Sequence, residues 1–344
     1  MKSNYRYIVK AFMAMAVIAG TTSCDDFLDR EPMSSISPET YYSTAAQLEA
    51  NLNDEYPNVL PSFGQWTYGI FGEDKGTDNQ IEVNANDRYT QDRWKVPHSE
   101  SDNWKFERIY RINFFLSEAL PKFGEDMIGS QNTISGSVAT IKHYIGEMYF
   151  LRAYEYFKKL QLFGDFPIIN QPLADEMEAL REASKRFPRN EVARFIISDL
   201  DKAYAYMSDV DMATTRINKD AAMLVKSRVA LFEATWLQNF KGTAFVPGGE
   251  GWPGASLHNN YQYPSGNIDN EVKYFLEQAV EASKLVADKY KGSLTENTGV
   301  LQQSADDPSN PYFDMFAQED LSDVKEVLLW RQYARGLSTH NINA

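Results

Sequence analysis

Along most of the chain, apolar side chains recur at three- and four-residue steps, the spacing that gathers them on one face of an α-helix. In the first such stretch Tyr41, Ala45, Leu48, Leu52 and Tyr56 share a face; Ser37 with Pro38 has the chemistry of a helix start and Pro57 that of a stop. A second stripe, Ile109, Ile112, Leu116 and Leu120, predicts a helix from about Asn103 to Leu120 with Pro121 at its end. The third and longest carries Val138, Ile141, Ile145, Met148, Leu151 and Tyr154, and Gly164 is a natural residue to close it. Three more helices are predicted to begin near Asn190, Asn218 and Asp269, since each of these side chains can accept a hydrogen bond from a first-turn N–H. Gly242 and Gly292 end the last two.

The pattern therefore predicts a mainly α fold. Ala221, Ala222, Ala230 and Ala234 leave room for a neighbouring helix to approach closely, as helical-hairpin repeats require, although no strict 34-residue period is visible. Two segments, 61–102 and 243–268, break the periodicity and are rich in Gly, Pro, Asn and aromatic residues. Long loops of this kind in a compact domain usually carry function. Near the end, KEVLLW at Lys325–Trp330 predicts a buried strand with little chain after it, so part of the fold is expected to lie beyond residue 344.

Charge and cysteine usage narrow the setting. The 344 residues carry a formal net charge of -14, and phosphate binding needs a basic face, so nucleic acid is excluded as a partner. Lys2, Arg6 and Lys10 precede the apolar run Ala11–Gly20, which is too short to span a bilayer and has the length of a secretory signal's apolar core. Residues 1–23 read as that signal, followed by Cys24, the only cysteine. A lone cysteine placed there, with no disulfide partner in an exported chain, predicts an acylated first residue of a lipoprotein.

The segment GEMYFLRAYEYFKKLQLFGDFPII, Gly146–Ile169, closely resembles the signature of the SusD/RagB family, through Glu147, Leu151, Arg152, Ala153, Tyr156, Phe157, Phe163, Gly164, Asp165 and Pro167. It departs from the commonest form at Lys159 and Leu160, which set the leucine one place late. CDDFLD at Cys24, the Trp104–Leu116 and Arg189–Ala203 patterns and INKDAAMLVKSRVALFEATW at Ile217 are consistent with it. The resemblance implies a helical scaffold like that of tetratricopeptide repeats, placed over 24–344 with the family's C-terminal part missing. It also implies a lipid-anchored protein at the cell surface of the outer membrane. Its role would be to capture oligosaccharide or polysaccharide and deliver it to a SusC-like TonB-dependent transporter. The alternative reading is a helical-repeat lipoprotein that binds a protein or peptide.

Within the signature, Glu147, Arg152 and Asp165 are expected to be structural, forming buried charge-assisted hydrogen bonds. An enzyme reading finds no support: the four histidines have no ligand spacing, and no nucleophile, phosphate or zinc motif is present, so no catalytic residue, metal or cofactor is assigned. Sugar binding needs aromatic rings for apolar sugar faces and polar groups for hydroxyls. The 61–102 segment supplies both, in Asp78, Asn79, Arg88, Tyr89 and Trp94, the last in a polar setting; Trp66 and Tyr68 are expected to anchor the loop. Trp252, in GGEGWPG, is the other candidate, while Trp104, Trp236 and Trp330 are expected in the core.

Overall fold

The structure is a computed structural model that describes residues 41–61, 74, 77, 79–80, 103–124, 126–207, 212–301, 303–304 and 306–332. The chain divides into two units, Met1–Tyr42 and Ser43–Ala344, and of the first only Tyr41 and Tyr42 are described. Among the described residues there are eight α-helices: α1 Ala45–Val59, α2 Glu107–Phe123, α3 Val138–Phe163, α4 Met177–Ala183, α5 Arg189–Tyr206, α6 Lys219–Asn239, α7 Ile268–Tyr290 and α8 Pro311–Met315.

Local chemistry sets the ends of these helices. Thr44 and Gln47 form a reciprocal capping box at the start of α1: Thr44 Oγ1 accepts the Gln47 N–H and Gln47 Oε1 accepts the Thr44 N–H. The predicted start at Ser37 lies outside the described residues. Neither proline stops its helix at once: Pro57 and Pro121 each sit in a last turn, where only one N–H is forfeited, and α1 and α2 run two residues further. Asn218 caps α6 as predicted, whereas α7 is capped by Asn267, two residues before the expected Asp269. Gly164 closes α3 with φ +67, in the left-handed region open to glycine.

The 26-residue α3 is the central helix of the second unit. It packs against α1 and α2 on one side and α5 on the other; α5 packs on α6, and α6 on α7. Cross-links between helix ends show that neighbours run antiparallel. Asp165, just past α3, accepts from the backbone of Arg189 at the start of α5; Arg189 pairs with Glu233 near the end of α6; and Asp220 at the start of α6 meets Lys289 and Tyr290 at the end of α7. Enclosed between two layers, α3 is buried without interruption from His143 to Ala153, so its pattern is apolar nearly all round. Gly146 lets α5 come close: a Cβ there would lie 2.8 Å from the Met207 nitrogen and 3.0 Å from the Ala203 carbonyl oxygen. The alanines expected to allow close approach do so, with Ala222, Ala230 and Ala234 wholly buried.

One predicted element is absent. Lys325–Trp330 forms turns, not a strand, and its apolar side chains are only half-buried. They close one wall of an apolar recess of about 810 Å³ over Tyr56, Phe150, Tyr154 and Leu224.

Candidate functional site

The three polar residues of the central signature are buried or nearly so and paired, but not with one another. Arg152 makes a two-pronged ion pair with Asp199 of α5, Nε to Oδ2 at 2.7 Å and Nη2 to Oδ1 at 2.8 Å, and its Nη1 donates to Asn113 of α2. Glu147 accepts from Arg216 at 3.0 and 2.8 Å and from the Tyr56 hydroxyl at 2.5 Å. Burial, and after it the Glu147 carboxylate, hold the Tyr56 hydroxyl well above its usual range, so it keeps its proton and donates. Asp165 accepts the Arg189 N–H on Oδ1 and the indole N–H of Trp252 on Oδ2. Burial nevertheless pushes its carboxyl up, the two donors opposing that shift. Arg152, Glu147 and Asp165 thus form three separate clamps, joining α3 to α5, α3 to the residues before α6, and the α3 end to the 243–268 segment.

That segment, expected as an irregular loop, is a chain of tight turns. Successive i to i+3 backbone bonds run from Phe240 through Thr243, Val246, Gly249 and Trp252 to Ala255, with Gly242, Gly248 and Gly251 at positive φ. Its pin is Trp252, which is 5% exposed. The expectation of an open indole for a sugar face is corrected here: Trp252 is held edge-on by Asp165 and packed against His258 and Tyr261, a structural position. The reverse holds for the tryptophans expected in the core, since Trp104, Trp236 and Trp330 are each only half-buried.

These turns, the end of α3 and the start of α5 enclose a recess of about 470 Å³. Its floor contains Asp165 and Arg189, its walls Phe163, Trp236 and Trp252, and its rim Arg186 and Phe245. Arg189 is itself buried, with Nε and Nη2 locked on Glu233 and the guanidinium stacked 4.0 Å from the Trp236 ring centre. Arg186 stacks 4.6 Å over Trp104, and Trp104 packs edge-on against Phe163 and Phe166. The recess therefore adjoins the chain two residues after the 61–102 segment ends.

Of the residues predicted to meet a glycan, Asp78, Arg88, Tyr89 and Trp94 lie outside the described residues, as do Cys24, Trp66 and Tyr68. Asn79 is exposed, its backbone N–H bonded to Thr77 Oγ1 at 3.2 Å. Arg186, Arg189 and Phe245 were not singled out from the sequence. Arg189 opens the Arg189–Ala203 pattern, yet the partner that gives it meaning, Glu233, is 44 positions away. Among the described residues no group of three or more His, Cys, Asp or Glu is placed to hold a metal ion.

A stack of antiparallel helices with aromatic recesses defines a helical-repeat scaffold, and comparison with known proteins gives it a family. The profile of the SusD-like family, described as starch-binding associating with outer membrane, matches residues 26–231, and the chain belongs to that family. Two curated relatives from Formosa agariphila are similar: SusD-like protein P25, 26% identical over 233 residues (62% of this chain, 41% of the relative), and SusD-like protein P2, 25% identical over 253 residues (70% and 46%). A solved SusD-like protein from Bacteroides fragilis matches with a TM-score of 0.43 at 21% identity, over 62% of this chain and 39% of that one. The chain thus spans less than half the length of these relatives.

Proposed function

We propose that this protein is a non-catalytic glycan-binding lipoprotein of the outer membrane. It captures oligosaccharide or polysaccharide at the cell surface and delivers it to a SusC-like TonB-dependent transporter. The observation that carries the reading is the family match over 26–231, whose description joins starch binding to the outer membrane. The 61–102 segment supplies the primary site, with Trp94 as the stacking ring and Asp78, Asn79, Arg88 and Tyr89 as its hydrogen-bonding surround. Cys24 carries the lipid, since one acyl chain anchors marginally and two or more hold a protein stably.

A glycan array followed by calorimetry with the strongest oligosaccharide tests the binding. Affinity in the micromolar to millimolar range is expected, because stacking gains are set against lost motion and desolvation. Trp94→Ala should abolish most of it with little change in melting temperature. Unchanged affinity would move the site elsewhere, a collapsed melting curve would make Trp94 a core residue, and an array without hits would favour a peptide ligand. Cys24→Ala tests the anchor: the variant should fractionate as soluble periplasmic protein, and recovery in the membrane at unchanged yield would overturn the lipoprotein reading.

A further inference from the structure

We infer that the recess at the end of α3 is a second ligand site, selective for an acidic sugar residue that carries a carboxylate or a sulfate. The inference rests on the glycan-binding reading above and names a substrate class for a place that reading does not use.

The first observation is an unused donor. Arg189 is 3% exposed, and its Nε and Nη2 are held by Glu233, yet Nη1 makes no hydrogen bond among the described residues. Nη1 is thus an open donor at the recess, on a side chain that is otherwise buried. It lines the recess beside Gly164, where an added Cβ would stand 3.4 Å from Nη1. Because the other two nitrogens are locked, Nη1 points in a fixed direction and loses little freedom on meeting a ligand.

The second observation is a second open guanidinium at the cavity. Arg186 at the rim faces the Trp104 ring and pairs with no carboxylate among the described residues. The carboxylate in the floor, Asp165, already accepts an N–H on each oxygen. Two guanidinium groups, Arg186 and Arg189, thus offer open donors to the recess, an arrangement suited to an anionic acceptor that can form charge-assisted hydrogen bonds with both. In a chain with net charge -14, such a cavity stands out locally. The third observation is shape: about 470 Å³ suits one sugar residue and its linkages, and Phe245, 62% exposed at the rim, offers an aromatic face to the apolar side of a sugar ring.

Calorimetry on the purified protein with trigalacturonate, a sulfated galactose oligosaccharide and maltotriose tests the site. At least one acidic probe should bind roughly tenfold tighter than maltotriose, the scale of one charge-assisted hydrogen bond, and this preference should shrink as salt is raised. In Arg186→Ala and in Phe245→Ala the ratio of acidic to neutral affinity should fall toward one. Both are surface substitutions, so folding is retained, and a melting curve verifies it. Which acidic probe wins separates carboxylate from sulfate. An acidic probe no tighter than maltotriose, or a preference that survives Arg186→Ala, overturns the inference while leaving glycan binding at Trp94 standing; binding of none of the probes, together with an array empty of hits, removes the glycan-binding reading itself.

Discussion

Arg152→Ala should lower stability by about 3–5 kcal/mol, the cost of leaving a buried charge without its partner. Asp199 is wholly buried, and two of the guanidinium's prongs go to its two oxygens. The third nitrogen holds Asn113 of α2 at 2.9 Å and the Asn170 carbonyl at 3.1 Å, so one side chain ties α2, α3, α5 and the turn after α3. Tyr149 and Phe195 flank the guanidinium at 5.3 and 5.2 Å, which adds attraction between cation and ring. Chemical denaturation against Lys273→Ala, a lysine 75% exposed, provides the comparison. Lys202 would be a poor control, because its ammonium reaches the same Asp199 at 3.8 Å. A loss no larger than that of Lys273→Ala would reject the clamp. Arg152→Met combined with Asp199→Leu should recover part of the loss, since removing both charges also removes the orphaned one.

Those partners explain what could be read from the sequence and what could not. Helices whose periodicity and caps lie within a few residues were legible, as Gly164 closing α3 and Asn218 capping α6 show. That Arg152 is buried and paired followed from an arginine set among apolar helix positions, but its partner lies 47 residues away and is fixed only once α3 and α5 pack antiparallel. The tryptophans failed for a related reason. A turn-rich, glycine-rich setting suggested an exposed Trp252, yet consecutive turns fold back on themselves, and the half-buried Asp165 carboxylate accepts its indole N–H. Trp236 sits on a regular helix, but Arg189 covers its face while its own N–H reaches the Phe245 carbonyl at 3.0 Å, leaving it half-buried at the wall of the recess. Lys325–Trp330 reads as a strand by composition; a strand needs a partner to pair with, and its neighbours here are helices and the turn before α6, to whose Thr214 carbonyl the Trp330 N–H donates.

Glu233→Ala should cost a comparable ~3–5 kcal/mol, because it strips the counter-charge from a cation that is almost wholly buried. Arg189 would keep its stack on Trp236 and the contact of its ring neighbour Phe232, but Nε and Nη2 would lose every acceptor they have in the structure. Glu233→Gln, which preserves an acceptor oxygen, should lose less, and Glu233→Ala with Arg189→Met should be more stable than Glu233→Ala alone. If the double variant is instead as unstable as the sum of its parts, the two residues are uncoupled and the pair is not what holds α5 to α6. The same series bears on the recess. Arg189 is aimed by Glu233, so in Glu233→Gln, kept well below its melting temperature, the preference for acidic over neutral sugar should weaken because Nη1 is no longer fixed in direction. Arg152→Ala disturbs a clamp further along α3 and α5, and in its folded state should leave that preference intact. Equal losses in both variants would mean that the preference reports general loosening of the scaffold and not an aimed guanidinium.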